Sequence, residues 1–167
     1  DSATTWSLSV QKDLSDDVML YVAAATGYKA GGFNSTSGDT GDMRAFDKTE
    51  TTNFEVGIKS RLMNNKVQLN ATAFSMDTDG QHFITQSPTG TGTIVGNATE
   101  TAERLGFDLN VVAKLTSNLT LNMSYFTVDD GSPDILTNAA ARLTPDDAYT
   151  IGLSHNYPLG NGNIFSR

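Results

Sequence analysis

At 167 residues the chain is long enough for a sizeable core, yet only 38% of its side chains are apolar. Eleven basic against nineteen acidic residues give a formal net charge of −8, with no basic stripe to receive a nucleic acid. The absence of cysteine excludes a disulfide framework, a thiolate metal site and a cysteine nucleophile.

Fifteen Gly and four Pro accompany many Thr, Asn and Ser, a composition that favours strands and turns over helices. Alternation of period two dominates the chain. Trp6, Leu8 and Val10 alternate with Ser7, Ser9 and Gln11. Val18 to Tyr28 is apolar in both phases, so its facing is not legible. Phe54, Val56 and Ile58 then alternate with Glu55, Gly57 and Lys59. Between Lys66 and Ala73, Val67, Leu69, Ala71 and Ala73 oppose Gln68, Asn70 and Thr72. Leu105, Phe107, Leu109 and Val111 oppose Gly106, Asp108 and Asn110. Leu119, Leu121, Met123 and Tyr125 oppose Thr120, Asn122 and Ser124. Tyr149, Ile151, Leu153 and Tyr157 oppose Thr150, Gly152, Ser154 and Asn156, with His155 in the apolar phase. Asn163 to Arg167 begins one more strand, for about seven to eight in all.

The connections alternate in length. Asp13–Asp17, Met63–Asn65, Thr116–Asn118 and Pro158–Gly162 are short and turn-like. Lys29–Glu50, Asp77–Thr101 and Asp129–Asp147 are long and polar. Loops of about 20 residues are uncommon inside compact domains. Placing every one at the same end of an antiparallel up-and-down meander is the habit of outer-membrane barrels, whose periplasmic turns are tight. The strands suit a membrane crossing of about 9–11 residues, and no apolar run approaches the roughly 18–20 that a membrane helix needs. Asp1 to Trp6 shows no basic-then-apolar leader, which fits a removed signal or an internal piece of a longer chain.

Tyr149 and Tyr157 bracket the apolar phase of their strand, as an aromatic girdle at each bilayer interface predicts. Glu55, Lys59, Glu103 and Asp108 are expected in the polar phase, facing a wet interior wider than an eight-stranded barrel encloses. Strands in a bilayer must pair on both edges. With its eighth strand cut short, the chain reads as one segment of a larger transmembrane β-barrel, bordered by outer-membrane lipid. A smaller barrel, a passive porin-like segment and a soluble β-sandwich binding module are the competing readings.

Five segments, in order, resemble those of TonB-dependent outer-membrane receptors. They are Gly27-Tyr28-Lys29-Ala30-Gly31-Gly32-Phe33-Asn34, Thr52 to Ser60, Asn64 to Phe74, Asn97-Ala98 ahead of Gly106-Phe107-Asp108-Leu109, and Leu119-Thr120-Leu121 followed by Pro145 and Tyr149. The resemblance implies a 22-stranded barrel closed around an N-terminal plug. Residues 1–167 would be part of that barrel, with the plug and final strands absent. It further implies a receptor in the bacterial outer membrane that imports a scarce small-molecule nutrient (ferric siderophore, haem, cobalamin or glycan) and takes its energy from TonB through the absent N-terminal part.

Little suggests catalysis, and no enzyme, cofactor or metal is expected. His82 and His155 have no paired spacing and read as unrelated surface residues. Asp77-Thr78-Asp79-Gly80 starts like a calcium loop but lacks the downstream bidentate Glu. Asn34, Asn70, Asn97, Asn118 and Asn122 open N-x-S/T triplets, read as accidents of composition. Gly31-Gly32 beside Lys29 could cradle an anion, although glycines that let a strand bend into its loop explain the pair better. Lys29, Arg44 and Lys48 are the basic candidates for ligand binding in the first outer loop, which also carries Asp39, Asp42, Asp47 and Glu50.

Overall fold

The computed structural model describes residues 2–34, 45–87, 92–131, 145–160 and 162–166. Its strands are β1 (Ser7–Ser15), β2 (Val18–Lys29), β3 (Gly32–Phe33), β4 (Ala45–Phe46), β5 (Thr49–Leu62) and β6 (Val67–Asp79), followed by β7 (His82–Gln86), β8 (Thr93–Asn97), β9 (Ala102–Lys114), β10 (Leu119–Gly131), β11 (Asp147–Leu159) and β12 (Gly162–Ser166). Eight of them form one antiparallel sheet in the order β1-β2-β5-β6-β9-β10-β11-β12. This is the expected meander. Two features go beyond the sequence pattern. The first two long connections each contain a two-stranded sheet, β3–β4 and β7–β8. The wall strands also outrun their alternating segments: β5 has 14 residues, and β6, β9, β10 and β11 have 13 each. Polar residues such as Thr49 to Asn53 join the ladder because the neighbouring strands satisfy their backbone groups.

Local chemistry sets the tight turns. Met63, Asn64 and Asn65 take positive φ in succession (54°, 56° and 63°), reversing the chain between β5 and β6. The Thr116 hydroxyl accepts from the backbone amides of Asn118 (3.2 Å) and Leu119 (3.0 Å) before β10. Gly160, at φ 57°, carries the turn into β12.

Residues paired across an antiparallel ladder share a face. The register therefore aligns Val10, Val22, Val56, Ala73 and Phe107 on one side of the sheet. On the other it aligns Gln11, Tyr21, Gly57, Thr72, Asp108 and Phe126. Pairing also settles β2, whose facing the sequence left open: Leu20, Val22 and Ala24 lie on the apolar face, and Met19, Tyr21 and Ala23 on the polar one. Glu55, Lys59 and Asp108 are on the polar face as expected. Glu103 is not. It pairs with Asp77 and Gly131 in phase with Leu105, so it lies on the apolar side. Its charge is tolerated there because it stands at the loop end of β9, past the apolar rows.

The apolar face is uncovered. Val10 is 65% exposed, Leu105 66% and Ile151 66%. Buried apolar residues are few and small: Ala98, Ala102, Ala113 and Val128 among the described residues. A soluble β-sandwich would bury such a face under a second sheet; among the described residues nothing covers it. Trp6, Tyr125 and Tyr149 mark the loop end of the apolar face and Tyr157 the turn end, in keeping with two aromatic girdles.

Candidate functional site

Among the described residues, two surfaces gather polar and aromatic side chains: the polar face of the sheet, and the paired hairpins above its loop end. On the polar face, aromatic rings lie across glycines of the adjacent strand. Tyr21 covers Gly57 and hydrogen-bonds Thr72 one strand further on, at 2.8 Å between oxygens. The Lys59 ammonium stands 5.4 Å from the centroid of the same ring. Phe74 covers Gly106 and stacks on Phe126, with centroids 6.0 Å apart. A β-carbon at Gly57 or Gly106 would collide with the ring above it, so only glycine lets the ring lie flat. Within the hairpins the same device recurs, Phe46 over Gly32 and Phe83 over Gly96.

The two hairpins hold each other by their side chains. The Asn34 amide donates to the Val95 carbonyl (2.9 Å) and its oxygen accepts from the Val95 backbone N–H (2.7 Å). Asn97 does the reverse. Its oxygen accepts from the Asp47 N–H (2.7 Å), and its amide donates to the carbonyls of Asp47 (2.9 Å) and Gly80 (2.8 Å). His82 Nε2 donates to the Asp47 carbonyl at 2.7 Å, and its ring meets Phe46 edge-on at 5.0 Å. Below, the Thr49 hydroxyl donates to Gly80 O (2.9 Å) and the Arg104 guanidinium to Gln81 Oε1 (3.2 Å). Thr49 and Arg104 share the polar phase with the buried Thr78, Ala102 and Val128. The hairpins therefore lean over the polar side of the sheet.

The basic candidates do not form one cluster. Lys29 ends β2 in the polar phase, opposite Thr49, and no carboxylate lies within ion-pair distance of it among the described residues. The Lys48 ammonium is taken up by Glu50 at 2.8 Å. Arg44 lies outside the described residues. In the segment Gly27 to Asn34, Tyr28 takes the apolar phase opposite Glu50, Gly32 lies beneath Phe46, Phe33 is 70% exposed and Asn34 is buried. The Phe46 ring gives Gly32 a packing role, since a β-carbon there would meet it. Asp79 accepts from Thr101 at 2.5 Å and ends a wall strand. Sequence reasoning met Asn34 and Asn97 as members of N-x-S/T triplets and of two motif segments, and missed their mutual hold. The one available signal was that both fall inside motif segments.

The sequence matches the family model described as TonB dependent receptor-like, beta-barrel, over residues 1–166. The chain belongs to this family. TonB-dependent receptors are transport receptors rather than enzymes. Solved structures agree in fold. The ferric yersiniabactin uptake receptor FyuA from Yersinia pestis is 18% identical with a TM-score of 0.71, covering 95% of this chain and 24% of FyuA. The ferripyoverdine receptor of the outer membrane of Pseudomonas aeruginosa, bound to ferripyoverdine, is 14% identical with a TM-score of 0.65, covering 92% of this chain and 20% of that one. The copper transporter OprC is 15% identical with a TM-score of 0.63, covering 89% and 23%. The chain thus spans about a quarter or less of the length of these structures. Within a TonB-dependent receptor barrel, the apolar face corresponds to the outside of the wall and the polar face to the lumen.

Proposed function

We propose that the chain is a wall segment of an outer-membrane receptor that captures a scarce nutrient at the cell surface and imports it with energy from TonB. The observation that carries this reading is the uncovered apolar face of a single sheet whose other face is polar. Lipid satisfies such a face; water does not. Among the described residues β1 and β12 each pair on one edge only; in the proposed parent, further strands would close the wall, and the family resemblance adds a plug in the lumen. Residues 1–167 would then be part of one barrel domain. Loops 1 to 3 (Lys29–Glu50, Asp77–Thr101 and Asp129–Asp147) face the outside and contribute to capture, and the tight turns face the periplasm. Lys29, Arg44 and Lys48 are the proposed basic contacts of loop 1, with Lys29 the freest of the two described cations. A metal chelate is the favoured nutrient class, because the similar structures are receptors for ferric yersiniabactin and ferripyoverdine and a copper transporter.

The test uses the full-length parent. Membrane fractionation should recover it only with detergent. Deleting its gene should abolish uptake of one labelled ferric chelate out of a panel, and collapsing the proton gradient should stop the remaining uptake in wild-type cells. Recovery as a soluble protein, or uptake that ignores the gradient, overturns the proposal.

A further inference from the structure

We propose that the described parts of outer loops 1 and 2 act as one rigid shelf over the lumen, held by the reciprocal clasp of Asn34 and Asn97. Each asparagine uses both atoms of its amide on the backbone N–H and C=O of a single residue, Val95 or Asp47. The holds run in opposite directions, loop 1 onto loop 2 and loop 2 onto loop 1. Val95 lies on β8 and Asp47 directly follows β4, so each clasp ties one hairpin to the other rather than to itself. The third Asn97 bond reaches Gly80, which Thr49 of β5 also holds, and Arg104 of β9 holds Gln81. The shelf is thereby fastened to the luminal side of the wall at two strands.

Surface hairpins this short ordinarily open independently and at little cost. Two opposed clasps change that. Freeing either hairpin breaks bonds that also order its neighbour, so the pair opens together and the entrance is set by the shelf as a unit. The inference rests on the outer-loop reading above, and its test separates the two.

Hydrogen exchange of the full-length receptor in micelles, read at the Val95 and Asp47 amides, tests it. In Asn34→Ala the Val95 amide loses its acceptor directly. Coupling predicts that the Asp47 amide, whose own acceptor Asn97 is intact, also exchanges about tenfold or more faster. Asn97→Ala should speed the Val95 amide in turn. Amides of Ile58 and Ala71, deep in the wall, should stay unchanged and report a folded barrel. Acceleration confined to the amide whose own partner was removed would overturn the shelf. Should Asn34→Ala fail to assemble, Asn34→Asp, which keeps the acceptor for Val95 N–H and loses the donor, is read by the same cross-effect. Labelling of Ile84→Cys on whole cells with an impermeant maleimide reports separately whether the hairpins face outside.

Discussion

The Phe74 ring lies over Gly106 on the neighbouring strand, where a side chain would displace it. Displacing it would also break its stack on Phe126, which runs at 19° between ring planes. Gly106→Val should therefore destabilise the barrel by about 1–3 kcal/mol, as overpacking does elsewhere. Phe74→Ala has its own cost through the lost stack, but the double variant should lose less than the sum of the two, because the valine then fills the space the ring vacates. Urea unfolding of the receptor in vesicles measures all three. A double-variant loss equal to the sum of the Gly106→Val and Phe74→Ala losses would show that the ring and the glycine do not interact.

Tyr21 bridges three strands by crossing Gly57 to reach the Thr72 hydroxyl at 2.8 Å. Tyr21→Phe keeps the ring over the glycine and removes only that bond, so a cost of about 0.5–1.5 kcal/mol is expected. Thr72→Val removes the same bond from the other side. The double variant should cost little more than either single one, a non-additive result that identifies a direct partnership.

The wall was largely legible in the sequence because membrane strands expose their pattern directly. Val67 to Ala73 and Leu119 to Tyr125 alternate without exception, and lipid outside against polar groups inside leaves no tertiary packing to override them. Val18 to Tyr28 was opaque, since Tyr21, Ala23 and Ala25 bring apolar atoms to the lumen. Two of those positions are small, and the third lies flat over Gly57. Glu103 was misplaced by treating its charge as evidence of facing, when its position at the strand end explains it. The clasp could not be read at all. Asn34 meets Val95 across 61 residues, and Asn97 meets Asp47 across 50. A side-chain amide that binds backbone requires no particular residue type in its partner, so it leaves no mark there.

Met63 occupies the left-handed region at φ 54°, with a side chain 74% exposed. Asparagine tolerates that conformation far better than an unbranched apolar residue, and Asn64 and Asn65 beside it already adopt it. Met63→Asn should relieve backbone strain without losing packing, raising stability by up to about 1 kcal/mol. A rise in the temperature at which the folded, fast-migrating band disappears on unheated gels would register it. A fall would show that Met63 makes a contact worth more than the strain.

Ile151 and Thr150 are adjacent on β11 and face opposite sides of the wall. Ile151 shares its face with Met123 and Val111, whereas Thr150 pairs with Ser124 beside Asn110 in the lumen. Arginine at a lipid-facing midplane position costs about 2–4 kcal/mol, while the lumen is wet. Ile151 stands two residues from the Tyr149 girdle, between midplane and interface, so Ile151→Arg should lower stability by about 1–2 kcal/mol, and Thr150→Arg by less. The comparison controls for size, charge and strand position at once. It thus tests the assignment of the faces rather than the tolerance of the strand to arginine. A larger loss for Thr150→Arg would reverse the two faces and, with them, the placement of Tyr21, Phe74 and the shelf over the lumen.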